Sequence, residues 1–291
     1  MTLVEDVRPE IDQEICVACG ACVEACQFEV LKMRKAGAAA RGIGRCIFCG
    51  HCVAVCPTEA VAHPAMPAER LRDLPEEPAV DFDTLMALLG QRRSVRHYTD
   101  EPVSDQDLRD LVEAAIVAPS GHNAQPWEFT FMTDPARLDA LREATMGFYA
   151  GLLEILADEE RRPELGEGVA DRLDPLAPAV HLMIRAHERG GDRLLWDAPV
   201  LAMIHSMPDA PAAEQSCVYA AANMMLAATS KGLGTCAIGF LSIPAAFGVE
   251  PVIEALNLPE GRQMHVAMTV GHPALTYRRS VARNEPPMRI I

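Results

Sequence analysis

Eight of the ten cysteines fall between positions 16 and 56, and their spacing is the sharpest chemical signal in the chain. Cys16, Cys19, Cys22 and Cys26 read C-x2-C-x2-C-x3-C, and Cys46, Cys49, Cys52 and Cys56 repeat that spacing, with Pro57 following. Thiols this dense, behind an acidic N-terminus (MTLVEDVRPEID) that lacks the basic-then-apolar layout of a signal peptide, point to metal ligation rather than disulfides. A cubane iron–sulfur cluster needs four thiolates at its corners, and a C-x2-C-x2-C loop wraps three of them. The fourth cysteine sits past a turn and points away, toward the other cluster. Gly20 and Gly50 stand where the backbone must turn tightly against inorganic sulfide. The alternative is a pair of four-cysteine zinc sites, but these use two C-x-x-C pairs separated by a longer loop, a plan that two complete runs do not follow.

Over about residues 10–62 the segment resembles the two-cluster bacterial ferredoxins. The resemblance implies one 4Fe-4S cluster on Cys16, Cys19, Cys22 and Cys56, and a second on Cys46, Cys49, Cys52 and Cys26. It departs at Gln27, where Pro57 has its counterpart in the second run. So small a domain has little core of its own, and its clusters are expected to be needed for folding. A ferredoxin moves single electrons and does no organic chemistry, so the rest of the chain should use them.

Three separated pieces downstream offer that use. Arg92-Arg93-Ser94-Val95-Arg96 places three arginines in five residues of an acidic chain. Guanidinium forks bind phosphate oxygens in pairs, although a solvated basic turn after a helix reads the same way. Ala118-Pro-Ser-Gly-His-Asn-Ala-Gln-Pro-Trp127 offers Ser120, Asn123 and Gln125 as hydrogen-bonding groups, or is an ordinarily capped helix-to-strand turn. Gly232-Leu-Gly-Thr-Cys-Ala-Ile-Gly-Phe240 lets backbone amides approach a flat ring, and it is not a GxGxxG dinucleotide motif.

In order and spacing these pieces resemble the FMN-dependent nitroreductase family over about residues 82–291, so that the whole chain looks like a ferredoxin–nitroreductase fusion. The resemblance implies an α+β fold, with a mixed, mainly antiparallel sheet flanked by helices, and an intertwined homodimer with FMN at its interface. It implies that Arg92, Arg93, Ser94 and Arg96 grip the FMN phosphate and ribityl chain. Pro119, Ser120 and Asn123 would reach the isoalloxazine from the partner subunit, and the backbone of Ala237, Ile238 and Gly239 would face the ring. In the tail from Gly271 to Arg283, Arg279 is the better match to the family's closing phosphate arginine and Arg283 the second choice.

The elements that must position these groups follow from composition and period. Residues 1–63 form the cluster domain. Residues 64–80 carry Pro64, Pro67, Pro75 and Pro78 among charged residues and read as a linker. Residues 81–291 form the flavin domain. Ser104 to Val117 predicts a helix with Ser104 as N-cap and Asp107 in the capping-box position. Trp127–Met132, Val200–His205 and His265–Val270 predict strands, and Glu214 to Ser230 a helix closed by Gly232 and Gly234. The stretch from Asp134 to Trp196 reads as helical without assignable chemistry. Met224, Met225, Cys217, Cys236 and Trp127 read as packing residues, while His122 and His205 are either structural or proton donors. No catalytic side chain is nominated.

Lys and Arg total 26 against 41 Asp and Glu, a net charge of −15, which disfavours nucleic acid as a partner. No apolar run reaches membrane-span length, and the expected compartment is an anaerobic cytoplasm. The clusters are expected to pass electrons from reduced ferredoxin, or a similar low-potential donor, to FMN, which reduces a nitroaromatic, quinone or enone. The alternatives are an electron-transfer module between carriers, an NAD(P)H-dependent nitroreductase, and, more weakly, a redox sensor.

Overall fold

A computed structural model of the chain describes residues 7–40 and 45–291; residues 1–6, the acidic lead considered above, lie outside the described residues. The chain divides into two compact units, Met1–Ala79 with His122–Ala124, and Val80–Gly121 with Gln125–Ile291.

The first unit is an internal repeat. Its elements are β1 (Glu10–Ile11), α1 (Ala21–Glu24), β2 (Lys32–Arg34), β3 (Gly37–Ala39), α2 (His51–Ala54) and β4 (Val61–Ala62). β1 pairs with β4 and β2 with β3, both antiparallel. Gly20 and Gly50 cap the two short helices at φ 83° and 76°. Ala18 and Phe48 (φ 54° and 57°), then Glu29 and Glu59 (φ 50° and 55°), repeat the same left-handed turns at matching places. Cys22, Leu31, Ala38 and Val61 make the small buried core. Residues 64–80, read above as a linker, hold a single 3-10 turn at Ala68–Arg70, and all but Val80 group with this unit.

The second unit carries α3 (Phe82–Gln91), α4 (Asp105–Ala115), β5 (Glu128–Met132), α5 (Pro135–Ala157), α6 (Val169–Leu173), α7 (Ala177–His187), β6 (Val200–Ser206), α8 (Ala213–Ser230), β7 (Gly234–Ala237), α9 (Gly239–Ala246), α10 (Glu250–Leu256) and β8 (Gln263–Gly271). Ser104 caps α4 as its sequence predicts, its Oγ accepting from the Asp107 amide at 3.0 Å. The Asp107 carboxylate takes the Ser104 hydroxyl at 2.6 Å and Lys231 at 3.1 Å. The sheet order is β5-β6-β8-β7, each neighbouring pair antiparallel. Period-two alternation divides β6 between two layers. Val200, Ala202 and Ile204 pack with residues of α4 and α8, while Leu201 and Met203 pack with residues of α5, α9 and α10. With both faces covered, β6 is buried throughout and its first five residues, 200–204, read as a continuous apolar run despite its antiparallel partners.

One element was not among the predicted strands. Gly234–Ala237 is strand β7 at the sheet edge, where Ser94 forms a parallel bridge to Thr235 and Val95 N–H donates to the Thr235 carbonyl at 2.9 Å. The glycine serves this approach: a Cβ at Gly234 would stand 2.6 Å from Val95 Cγ2. Among the described residues no helix is long and apolar enough to cross a membrane.

Candidate functional site

In the first unit none of the eight cysteines is in a disulfide, and their thiols fall into two neighbourhoods. Burial pushes the Cys22 thiol up, and Cys56, Cys16 and Cys19 add to the rise as charged neighbours. Burial lifts Cys52 to about 11, with Cys46, Cys49 and Cys26 adding to it. In each neighbourhood three thiols come from one run and one from the other. Cys26, Cys46, Cys49 and Cys52 also line one cavity of about 100 Å³. The repeat extends to the hydrogen bonds: Val30 N–H donates to Cys26 Sγ at 3.3 Å and Ala60 N–H to Cys56 Sγ at 3.2 Å. At Cys56 burial works upward, but donors from Thr58, Ala60 and Val61 win and hold the thiol below its ordinary value. Among the described residues no three His, Cys, Asp or Glu side chains converge on a single-ion spacing. Soft thiolates in fours with N–H groups aimed at sulfur fit iron–sulfur ligation.

One neighbour was not foreseen from the sequence. His63 is buried, its Nδ1 accepts from Ala65 N–H at 3.1 Å, and its Nε2 lies 3.5 Å from Cys46 Sγ. With Nδ1 accepting, the ring proton sits on Nε2 and points at sulfur.

In the second unit the arginine motif splits between two cavities. Arg96 lines a pocket of about 380 Å³ with Ala237, Ile238, Gly239, Trp196 and Arg193. The Arg96 guanidinium lies 5.6 Å from the Trp196 ring centre, a cation–π distance. Arg93 lines a second cavity of about 670 Å³ with Tyr277, Arg278 and Arg279. Its guanidinium lies 4.9 Å from the centre of the Tyr277 ring. Arg92 is the C-cap of α3, and Ser94 bridges to β7; Arg283 lies in the exposed tail and lines neither cavity.

Pro119, Ser120 and Asn123 line neither cavity. Ser120 Oγ accepts from Gln125 N–H at 3.0 Å within the second unit. Asn123 groups with the first, where its Nδ2 donates to the Phe48 carbonyl at 2.8 Å. His122, Asn123 and Gln125 all have positive φ, strain that a loop keeps only where its surroundings impose it. His205 is structural by its contacts: buried in the sheet, it meets Thr130 Oγ1 at 2.9 Å. His265 Nε2 likewise meets Ser206 Oγ at 2.8 Å.

The loop 192–197 also escaped sequence reading. Asp192 Oδ1 accepts from the amides of Leu194 (2.8 Å) and Leu195 (2.9 Å), and Oδ2 from Asp197 (3.0 Å). Its side chain is only 3% exposed and pairs with Arg142 at 3.3 Å.

The chain is similar to known proteins. Residues 15–61 match the 4Fe-4S dicluster domain, and residues 89–272 match the nitroreductase family. A protein named NADH dehydrogenase from Thermus thermophilus is 31% identical over 188 residues, covering 63% of this chain and 84% of its own length. A 4-nitrobenzoate reductase from a Nocardioides species is 29% identical over 223 residues, covering 71% of this chain and 86% of its own. Among solved structures, a nitroreductase with bound FMN from Bacteroides fragilis shares the fold with a TM-score of 0.51 at 25% identity, over 71% of this chain and 98% of its own. The chain belongs to the nitroreductase family, an FMN flavoprotein oxidoreductase family, and carries a 4Fe-4S dicluster ferredoxin domain ahead of its nitroreductase domain.

Proposed function

We propose that this chain is an iron–sulfur- and FMN-dependent reductase of a small organic acceptor of the nitroaromatic, quinone or enone class. The observation that carries the reading is the presence, in one chain, of two thiol quartets and an arginine-lined pocket floored by Ala237, Ile238 and Gly239. Cys16, Cys19, Cys22 and Cys56 hold one 4Fe-4S cluster; Cys46, Cys49, Cys52 and Cys26 hold the other. Arg92, Arg93, Ser94 and Arg279 bind the FMN phosphate end, with Arg283 as second choice for the tail arginine. Arg96 and the backbone of residues 237–239 bind the ring end. When bound, the clusters supply single-electron transfer, and FMN supplies the switch between one and two electrons. The chain's part is to hold the ring against the acceptor, exclude water from the pocket and present positive charge to the reduced ring. Membership of the family extends this reading to a homodimer in which a second subunit contributes Pro119, Ser120 and Asn123. Reduced ferredoxin is the donor this arrangement favours, and oxygen-sensitive clusters favour an anaerobic cytoplasm. The second reading is direct NADH use at the flavin, favoured by the relative named NADH dehydrogenase.

The test is anaerobic flavin bleaching with NADH, NADPH or reduced ferredoxin, beside a Cys16→Ala, Cys46→Ala double variant. Bleaching by ferredoxin that the variant loses supports cluster entry. Rapid bleaching by NADH in both proteins replaces that route with direct transfer.

A further inference from the structure

The two arginine-bearing cavities of the second unit differ in one respect that their flavin roles leave unexplained. Arg93, Arg278 and Arg279 line one, where a phosphate accounts for clustered guanidinium groups. The other has Arg96 for the ring end, and it also has Arg193. Among the described residues Arg193 has neither an ion pair nor a hydrogen bond, and no acid stands among those lining this pocket, in a chain of net charge −15.

Arg193 sits on a fastened turn. The buried Asp192 carboxylate holds the amides of Leu194, Leu195 and Asp197, and Arg142 holds the carboxylate. Trp196 and Asp197 are kept at φ 62° and 53°, a left-handed region that costs a bulky side chain energy. The turn spends that strain and leaves one guanidinium unpaired on a pocket wall beside Trp196, Ile238, Phe240 and Ile243. A planar fork donor next to an apolar slot suits a flat ring bearing a carboxylate.

We infer that this pocket selects acceptors that carry a carboxylate, or a comparable anionic group, on a planar aromatic ring. Arg193 determines that specificity and Asp192 positions it. The inference rests on the reading above that this pocket takes the ring end of the flavin, against which the acceptor is held.

The test titrates oxidised, FMN-loaded full-length protein with 4-nitrobenzoate and with its methyl ester, following the flavin absorbance shift, and then measures reduction of both. Arg193→Gln should weaken 4-nitrobenzoate binding about tenfold or more and raise its KM alike, the scale of a lost charge-assisted hydrogen bond. The ester should be unchanged, FMN content equal, and Arg193→Lys should recover part of the loss. Equal weakening of both compounds, no weakening of either, or loss of FMN from Arg193→Gln would overturn the inference. Arg193-dependent binding of 4-nitrobenzoate without its reduction would uphold the anion site and sink the acceptor reading on which it was built.

Discussion

In the first unit eight sulfurs stand between Cys16 and Cys56, and the buried apolar support among the described residues is the cluster of Cys22, Leu31, Ala38 and Val61 with Val30 and Ala60. In the second, the groups around the two cavities come from residues as far apart as Arg93 and Arg279, and they rest on a sheet buried between two helical layers. The contrast separates two ways of building a site. Ligands close together in sequence can be gathered by what they bind, and the binding energy then serves as folding energy. Residues far apart must be brought together by a scaffold that already stands, so that packing carries the cost.

The largest effect that tests this contrast is iron removal. Anaerobic chelation, or Cys22→Ser, should strip hydrogen-exchange protection from residues 7–40 and 45–79 while strands β5, β6 and β8 keep theirs. Parallel loss in both units would break the comparison. Next in size is Leu201→Ala, fully buried at the middle of the sheet, with an expected cost of about 2–5 kcal/mol. Denaturant unfolding should show that loss in the second unit, with cluster absorbance untouched at low denaturant.

Acid should follow. Burial, the leading cause, holds both His205 and His265 below the ordinary histidine value. Unfolded, the two take up protons near pH 6.5 while the folded forms do not. Their contribution to stability is thus complete above that pH and is lost as pH falls through it toward the folded values. A midpoint that does not fall between pH 7 and pH 5.5, or that recovers none of its loss in His205→Gln, would contradict the assignment. The smallest effect is His63→Leu, which removes the N–H aimed at Cys46 Sγ. It should make the potential of one cluster more negative and leave the other in place, as read by an EPR-monitored redox titration. An equal shift of both, or of neither, would show that the ring does not act through that sulfur.

The same contrast explains what could be read in advance. Cysteine spacing is legible because ligation is a local constraint, and the Ser104 cap is legible because its partner lies three residues on. Strand β7 is not, because Gly234 is required by Val95, more than a hundred residues earlier, and only the fold reveals that meeting. The arginine motif was read as a single grip. Along an extended backbone, side chains separated by an odd number of positions face opposite ways, so Arg93 and Arg96 reach different cavities. The Asp192 turn left no trace in sequence because its carboxylate works on backbone amides, which every residue type supplies.

The edge ribbon that carries the arginines has a further consequence. Val95 is held by Thr235, Thr99 N–H donates to the His272 carbonyl at 2.9 Å, and Ala274 N–H donates to the His97 carbonyl at 2.9 Å. The early arginines are thus seated by backbone synthesised some 180 residues later, as 272 is from 92. On the ribosome, the thiol runs are finished before the fold that anchors Arg92, Arg93 and Arg96 has been translated, because domains emerge and fold in order from the N-terminus. The order of synthesis therefore makes the thiol segment available for metal before the later backbone that seats the early arginines exists.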